Sequence, residues 1–200
     1  MVYPKKLETI LEYYKKLPGI GEKNAERLAL ATLDFTTEQI SEFSDALIEA
    51  KAHLRPCKIC GHLTDQEICS ICSDDGRNKN IICVLEDYKS VFAFEKAGNF
   101  KGVYHVLNGL ISPTEGISYE DINLNSLSTR IETLDNPELI LALKSSIEGE
   151  TTTLFIKKIF EDKDVLISRL SYGIPMGADI DYMDVVTLDK ALDDRKKISD

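Results

Sequence analysis

Two cysteine pairs of identical spacing, Cys57-Lys58-Ile59-Cys60 and Cys69-Ser70-Ile71-Cys72, lie eight residues apart and constrain this chain more than any other feature. Each pair puts two thiols on one tight turn, and two such turns bring four sulfurs onto a tetrahedral ion at about 2.3 Å each. The stretch from Met1 to Lys6 lacks the apolar core of a secretory signal, which predicts a cytoplasmic, reducing setting where disulfides do not persist. An all-thiolate set with no open position fits one structural zinc per chain, because a catalytic zinc keeps a place for water. A redox role for either pair is disfavoured, since neither sits in a strand-helix unit. The segment from Cys57 to Cys72 has too few large apolar residues to make its own core, so the metal has to hold it together. His62, inside the loop, reads as a surface residue because four cysteines already saturate the ion. The fifth cysteine, Cys83, stands within an apolar run and reads as a buried, inert thiol.

The 200 residues allow one to three domains, and no apolar run approaches the roughly 20 residues of a membrane helix. The net charge of −10 argues against a wholly basic nucleic-acid binder. Its distribution says more than its sum. Residues 1 to 33 carry six basic side chains (Lys5, Lys6, Lys15, Lys16, Lys23, Arg27) against four acidic ones, a local +2 that leaves −12 on the remainder. A DNA-binding face therefore belongs near the N-terminus, and the acidic remainder suits a basic protein partner.

Helical periodicity runs through Leu7, Ile10, Leu11 and Tyr14, breaks at Leu17-Pro18-Gly19-Ile20-Gly21, and resumes with Ala25, Leu28, Ala29 and Thr32. Thr36 and Gln39 read as a capping box for a third helix that ends near Leu54, with Ile40, Phe43, Leu47 and Ile48 as its buried stripe. Apolar runs at 81–85, 103–107, 139–143 and 165–167 predict strands, with helices at 90–97 and about 151–160 between them. That alternation implies a parallel sheet covered on both faces. Thr187 is the expected cap of a last helix through Leu188, Ala191 and Leu192, and residues 196–200 are expected to fray.

In the Leu17-to-Gly21 turn, Gly19 and Gly21 allow backbone conformations closed to other residues and aim N–H groups from the start of the next helix. Lys23 and Arg27, four apart on one helical face, extend this potential phosphate site outward. Such contacts position DNA without reading sequence. The segment resembles the helix-hairpin-helix of DNA repair proteins.

Glu86 follows the first predicted strand of the sheet, and a later strand runs into Ile147-Glu148-Gly149-Glu150. Carboxylates there resemble those of the Toprim domain of topoisomerases and primases, in which a first-strand Glu and a D-x-D before E-G-E bind magnesium. Here the D-x-D positions are Lys144 and Ser146, which repel a dication and offer a neutral ligand, so two-metal catalysis lacks its ligands. Glu86, Glu148 and Glu150 retain at most one weak magnesium site and are expected to face a basic partner instead. A degenerate Toprim nuclease or topoisomerase is the alternative.

The order helix-hairpin-helix, four-cysteine zinc, Toprim resembles the RecR family along essentially the whole chain, through Leu17-Pro18-Gly19-Ile20-Gly21, His62-Leu63-Thr64-Asp65-Gln66, Ser112-Pro113, Gly173-Ile174-Pro175-Met176-Gly177 and Thr187-Leu188. It departs from the family pattern at Leu143-Lys144-Ser145 and Tyr172. The resemblance implies an α+β architecture in four parts: a helix-hairpin-helix region at 1–54, a zinc finger at 55–79, an α/β Toprim domain with a parallel sheet at 80–173, and a C-terminal helical oligomerisation segment at 174–200. It implies a non-enzymatic mediator, a homodimer or homotetrameric ring that binds single- and double-stranded DNA in the cytoplasm, at the nucleoid. Such a mediator acts with RecO and RecF to load RecA, with Lys23 and Arg27 lining the opening and the acidic edge receiving RecO.

Overall fold

A computed structural model describes residues 3–171 and 173–197, and the chain divides into two units, Met1–Leu54 and Arg55–Asp200. In the first unit, α1 (Lys5–Lys15) and α2 (Glu22–Leu33) form an antiparallel pair joined by the predicted turn. Ala25 and Ala29 are fully buried against Leu11, with Leu7, Ile10, Tyr14 and Ile20 around them. Alanines four apart leave no side chain beyond Cβ on that ridge, which lets the helices approach closely. The Thr32 hydroxyl donates to the Leu28 carbonyl at 2.7 Å, so the Tyr14 hydroxyl is the donor in its 2.5 Å contact with Thr32 Oγ1.

The helix α3 (Thr37–His53) begins at the predicted capping box: Gln39 N–H donates to Thr36 Oγ1 and Thr36 N–H to Gln39 Oε1. Its apolar stripe departs from expectation. No residue of α3 is buried, and Phe43, Leu47 and Ile48 are 45%, 57% and 64% exposed. Periodicity identifies which face is apolar, and of its four residues only Ile40 is even half-buried.

The second unit opens with an antiparallel bridge of β1 (Arg55–Pro56) and β2 (Leu63–Thr64), then the single turn α4 (Ser70–Ser73). It continues as β3 (Ile81–Leu85), α5 (Tyr88–Ala97), β4 (Val103–Val106), α6 (Asn125–Ile131), β5 (Glu138–Ala142), α7 (Ile147–Ile159), β6 (Leu166–Arg169) and α8 (Val185–Asp193). The four long strands form an all-parallel sheet in the order β4-β3-β5-β6. The chain goes from β3 outward to β4 and then crosses to β5 on the other side of β3. The topological switch point therefore lies between the ends of β3 and β5, where an open α/β sheet presents its crevice.

Strands β3 and β4 are buried almost throughout, as the continuous apolar runs require. Coverage of both faces does not extend across the whole sheet: β5 alternates between buried and half-buried, and the edge strand β6 leaves Leu166 64% exposed. Three helices begin earlier than the apolar pattern suggests, because the polar side chain that caps each one lies upstream of the apolar period. Asp87 caps α5 through Ser90 N–H, Ser146 caps α7 through Gly149 N–H, and Asp184 caps α8. Thr187 is thus not the cap of α8. Its N–H and hydroxyl donate to the Asp184 carboxylate at 2.9 and 2.6 Å. In the glycine-rich tail, Gly177 (φ +81°) is the third residue of a turn closed by Ala178 N–H on the Pro175 carbonyl. Tyr172 lies outside the described residues, as do 198–200 of the segment expected to fray.

Candidate functional site

The four predicted ligands converge. Their sulfurs lie within 4.8 Å of one another, and Cys60 Sγ and Cys69 Sγ are 3.6 Å apart. Four sulfurs at about 2.3 Å from a tetrahedral centre stand about 3.8 Å apart, so the cluster fits zinc. The turns that build it are backbone-bonded: Cys57 N–H to the His62 carbonyl, Gly61 N–H to the Cys57 carbonyl, and Ser73 N–H to the Cys69 carbonyl. Cys69 N–H also donates to Cys57 Sγ at 3.3 Å. Cys69 is pushed far below the usual thiol range, first by the hydrogen bond from Cys60, and Cys60 is pushed far above it by the same contact. A dication relieves this competition by stabilising every thiolate at once.

The finger does not stand apart from the sheet. Val106 N–H at the end of β4 donates to the Cys60 carbonyl at 2.7 Å, the Lys79 ammonium caps the Cys72 carbonyl at 2.8 Å, and the cysteines belong to the same apolar cluster as β3 and β4. His62 is a correction to the surface assignment. It is only 6% exposed and meets Phe92 edge-on, with ring centroids 5.0 Å apart. Docking of the finger against α5 buries it, and a spacing argument about the ion carries no information on that contact. Cys83 lies at the centre of β3, buried, with desolvation raising its thiol to about 12.

At the helical turn, Gly19 takes φ +77°, a left-handed conformation costly for other residues. Gly21 does not. At φ −82° and ψ 173° it is an ordinary extended N-cap, and a Cβ added there meets nothing within 4 Å. Its contribution is an uncovered start to α2. Lys23 and Arg27 are exposed, each two positions before a buried alanine, Ala25 or Ala29, and so about 200° around the helix axis from it. Neither has an ion-pair partner among the described residues. The neighbouring Glu26 carboxylate instead accepts from the Tyr3 hydroxyl, which raises Tyr3 above the ordinary tyrosine range.

The three carboxylates do not assemble into one ligand group. Among the described residues, the cysteines are the only set of three or more whose ligand atoms cluster this closely. Glu86, just past β3, is bonded by the Lys144 ammonium at 3.1 Å, a contact that raises Lys144 above the ordinary lysine range. Glu148 and Glu150 lie in the first turn of α7 and not at a strand end, a correction to the sequence expectation. The Ser146 hydroxyl donates to Glu148 at 2.7 Å and, as the largest influence, holds it below the usual carboxylate range. Between them, a Cβ on Gly149 would fall 2.0 Å from the Lys144 carbonyl oxygen, so this close approach of loop and helix requires glycine. Glu150 is met by Lys190 of α8 at 3.0 Å and by Arg169 at 3.6 Å. Sequence reasoning missed these two cations. Arg169 had a signal, since it ends a parallel strand at the functional edge; Lys190 had none short of the folded tail.

Four family profiles match in order along the chain: RecR helix-hairpin-helix over residues 7–51, RecR four-cysteine zinc finger over 54–74, Toprim domain over 80–171, and RecR C-terminal over 173–196. Curated proteins named Recombination protein RecR from Staphylococcus aureus strains Mu3, Mu50 and JH9 are each 42% identical over 198 residues, covering 99% of this chain and 100% of theirs. With a converged four-cysteine cluster, a helical hairpin and a parallel Toprim sheet in the same order, the chain belongs to the RecR family of recombination proteins.

Proposed function

We propose that this chain is a recombinational repair mediator that binds single- and double-stranded DNA through Gly19, Gly21, Lys23 and Arg27. It acts with RecO and RecF to promote RecA loading on gapped or single-stranded DNA, and it catalyses no reaction of its own. The observation that carries the reading is the placement of Lys23 and Arg27: exposed, without ion-pair partners among the described residues, and beside an uncovered helix start. In a chain of net charge −10, two cations left unneutralised next to a helix N-terminus suit phosphate.

The ion-paired state of Glu86 favours the non-catalytic reading over a nuclease or topoisomerase, because the Lys144 ammonium sits where a Toprim enzyme needs a dication. Cys57, Cys60, Cys69 and Cys72 hold one structural zinc per chain. The edge of Glu86, Glu148 and Glu150 receives a basic face of RecO. A homodimer or homotetrameric ring would cover the bare stripe of α3 and the exposed Met176, Tyr182 and Val185 of the tail. The working parts are 1–54, 55–79, 80–173 and 174–200, in the cytoplasm at the nucleoid; no described helix is long and apolar enough to cross a membrane.

Fluorescence anisotropy with labelled single- and double-stranded DNA across a salt series tests the DNA contact. Lys23→Ala/Arg27→Ala should weaken binding and lower the slope of log affinity against log salt by about 0.9 per contact on duplex DNA. Equal slopes for variant and wild type would reduce the hairpin to a structural element.

A further inference from the structure

The helix α8 has no buried residue: Val185, Val186 and Leu192 are 81%, 62% and 63% exposed, and Leu188 and Ala191 are half-buried. Nine residues are too few for a helix to persist in water unaided, and apolar burial does not supply the missing stability here. Charges do. The Lys190 ammonium lies 3.0 Å from Glu150 Oε1 and 3.1 Å from Ser145 Oγ. Arg169, at the end of β6, stands 3.6 Å from the other Glu150 oxygen and 3.8 Å from Asp194, just past α8. Asp194, Arg169, Glu150 and Lys190 thus alternate in sign along one chain of contacts, and two of its members belong to the tail and two to the sheet and α7.

We propose that α8 is a latch on the acidic edge: Lys190 occupies Glu150 in place of a basic side chain of a protein partner, and a partner that supplies lysine or arginine there displaces Lys190 and releases α8. The inference rests on the reading of Glu86, Glu148 and Glu150 as a partner face and adds that this face is closed by the chain itself. The exchange is nearly balanced, because one partly solvated ammonium replaces another on the same carboxylate. A basic segment gains the advantage through Glu148, which accepts from Ser146 but has no ion-pair partner among the described residues. Release of α8 would uncover the half-buried Leu188 and Ala191. Partner binding would then shift the population of a pre-existing open state.

The test uses the full zinc-loaded chain and hydrogen exchange of the amides at 185–194, in wild type, Lys190→Gln, Lys190→Arg and Glu150→Gln, with and without a labelled decalysine peptide whose binding is read by anisotropy. Lys190→Gln should speed exchange in α8 and tighten decalysine binding, each by about fivefold, the scale of one surface ion pair. Lys190→Arg should behave as wild type, decalysine should speed α8 exchange in wild type, and Glu150→Gln should loosen α8 while weakening the peptide. Unchanged α8 exchange in Lys190→Gln overturns the latch. Faster exchange with weaker peptide binding makes Lys190 part of the docking face and overturns the competition. If α8 loosens in both variants but decalysine binds none of the proteins, or binds Glu150→Gln as well as wild type, the partner reading of the acidic edge is what has failed, and α8 is an ion-paired structural helix.

Discussion

Lys144 and Glu86 face each other across the switch point of the sheet, the ammonium 3.1 Å from a carboxylate oxygen. Lys144 comes from the loop after β5 and Glu86 follows β3, so the pair spans the crevice where related enzymes gather magnesium. The loop also presents Ser146, which caps α7. Aspartate caps a helix as well as serine does, so Lys144→Asp/Ser146→Asp restores the D-x-D without giving up the cap. Isothermal titration with magnesium should show the double variant binding at least about tenfold more tightly than wild type, because a repelling cation is exchanged for two hard oxygen ligands. No gain would mean that backbone spacing, and not the charge at Lys144, keeps the dication out.

Zinc removal should be felt well beyond the finger. The Cys60 carbonyl accepts from Val106 of β4, and the cysteines share one apolar cluster with β3, β4 and α6. An apparent zinc affinity of about 10–16 kcal/mol exceeds or matches the about 5–15 kcal/mol that holds a typical domain folded. Chelation, or Cys69→Ser, should therefore lower the calorimetric midpoint of residues 55–200 as a unit and speed hydrogen exchange at Val106 together with the loop. Loosening confined to 57–72, with Val106 still protected, would show the finger to be an independent module.

The features legible in the sequence were those carried by local chemistry. Cysteine spacing located the metal ligands, continuous apolar runs located β3 and β4, and the Thr36/Gln39 pair located the start of α3. What escaped depends on contacts between distant segments. His62 is buried by Phe92, thirty residues away in the chain, and Glu150 is engaged by Lys190, forty residues away. Helix starts at Tyr88, Ile147 and Val185 were hidden because the caps that set them, Asp87, Ser146 and Asp184, lie upstream of the residues that show the apolar period. The stripe on α3 was legible as apolar, but its burial was not, since no residue pattern distinguishes a face covered by its own chain from one awaiting another.

That stripe makes the oligomer testable. Leu47→Asp and Ile48→Asp alter side chains already 57% and 64% exposed, so each should change monomer stability by no more than about 0.5 kcal/mol. In an assembly that covers α3, the same carboxylates would be buried without partners. Sedimentation velocity should then show a smaller species for either variant at concentrations where wild type is assembled, with unchanged circular dichroism. A wild-type distribution in both would assign the oligomer contact to another surface.

His105 sets an acid limit on the sheet. It is fully buried in β4, and its Nε2 lies 2.7 Å from the Asn123 carbonyl, so that nitrogen carries the proton and donates; Nδ1 has no hydrogen-bond partner among the described residues. Desolvation is the main reason its pKa falls to about 4, with Arg130 nearby acting in the same direction and the Asn123 contact opposing. The unfolded chain holds this proton with a pKa of about 6.5. Between those values the unfolded state binds more protons than the folded one, so stability is fully present above about pH 6.5, falls as pH drops through this window, and levels off below the folded value. The difference amounts to about 3 kcal/mol. Zinc loss also destabilises the protein in acid, so the measurement is a difference: urea midpoints from pH 7 to pH 4.5 for wild type and His105→Gln, both with zinc in excess. His105→Gln starts lower at pH 7 through altered packing, but its curve should be flatter by the histidine contribution. Parallel curves would show that His105 is protonated in the folded sheet at mild acid, with Nδ1 satisfied by a group the neutral imidazole does not need.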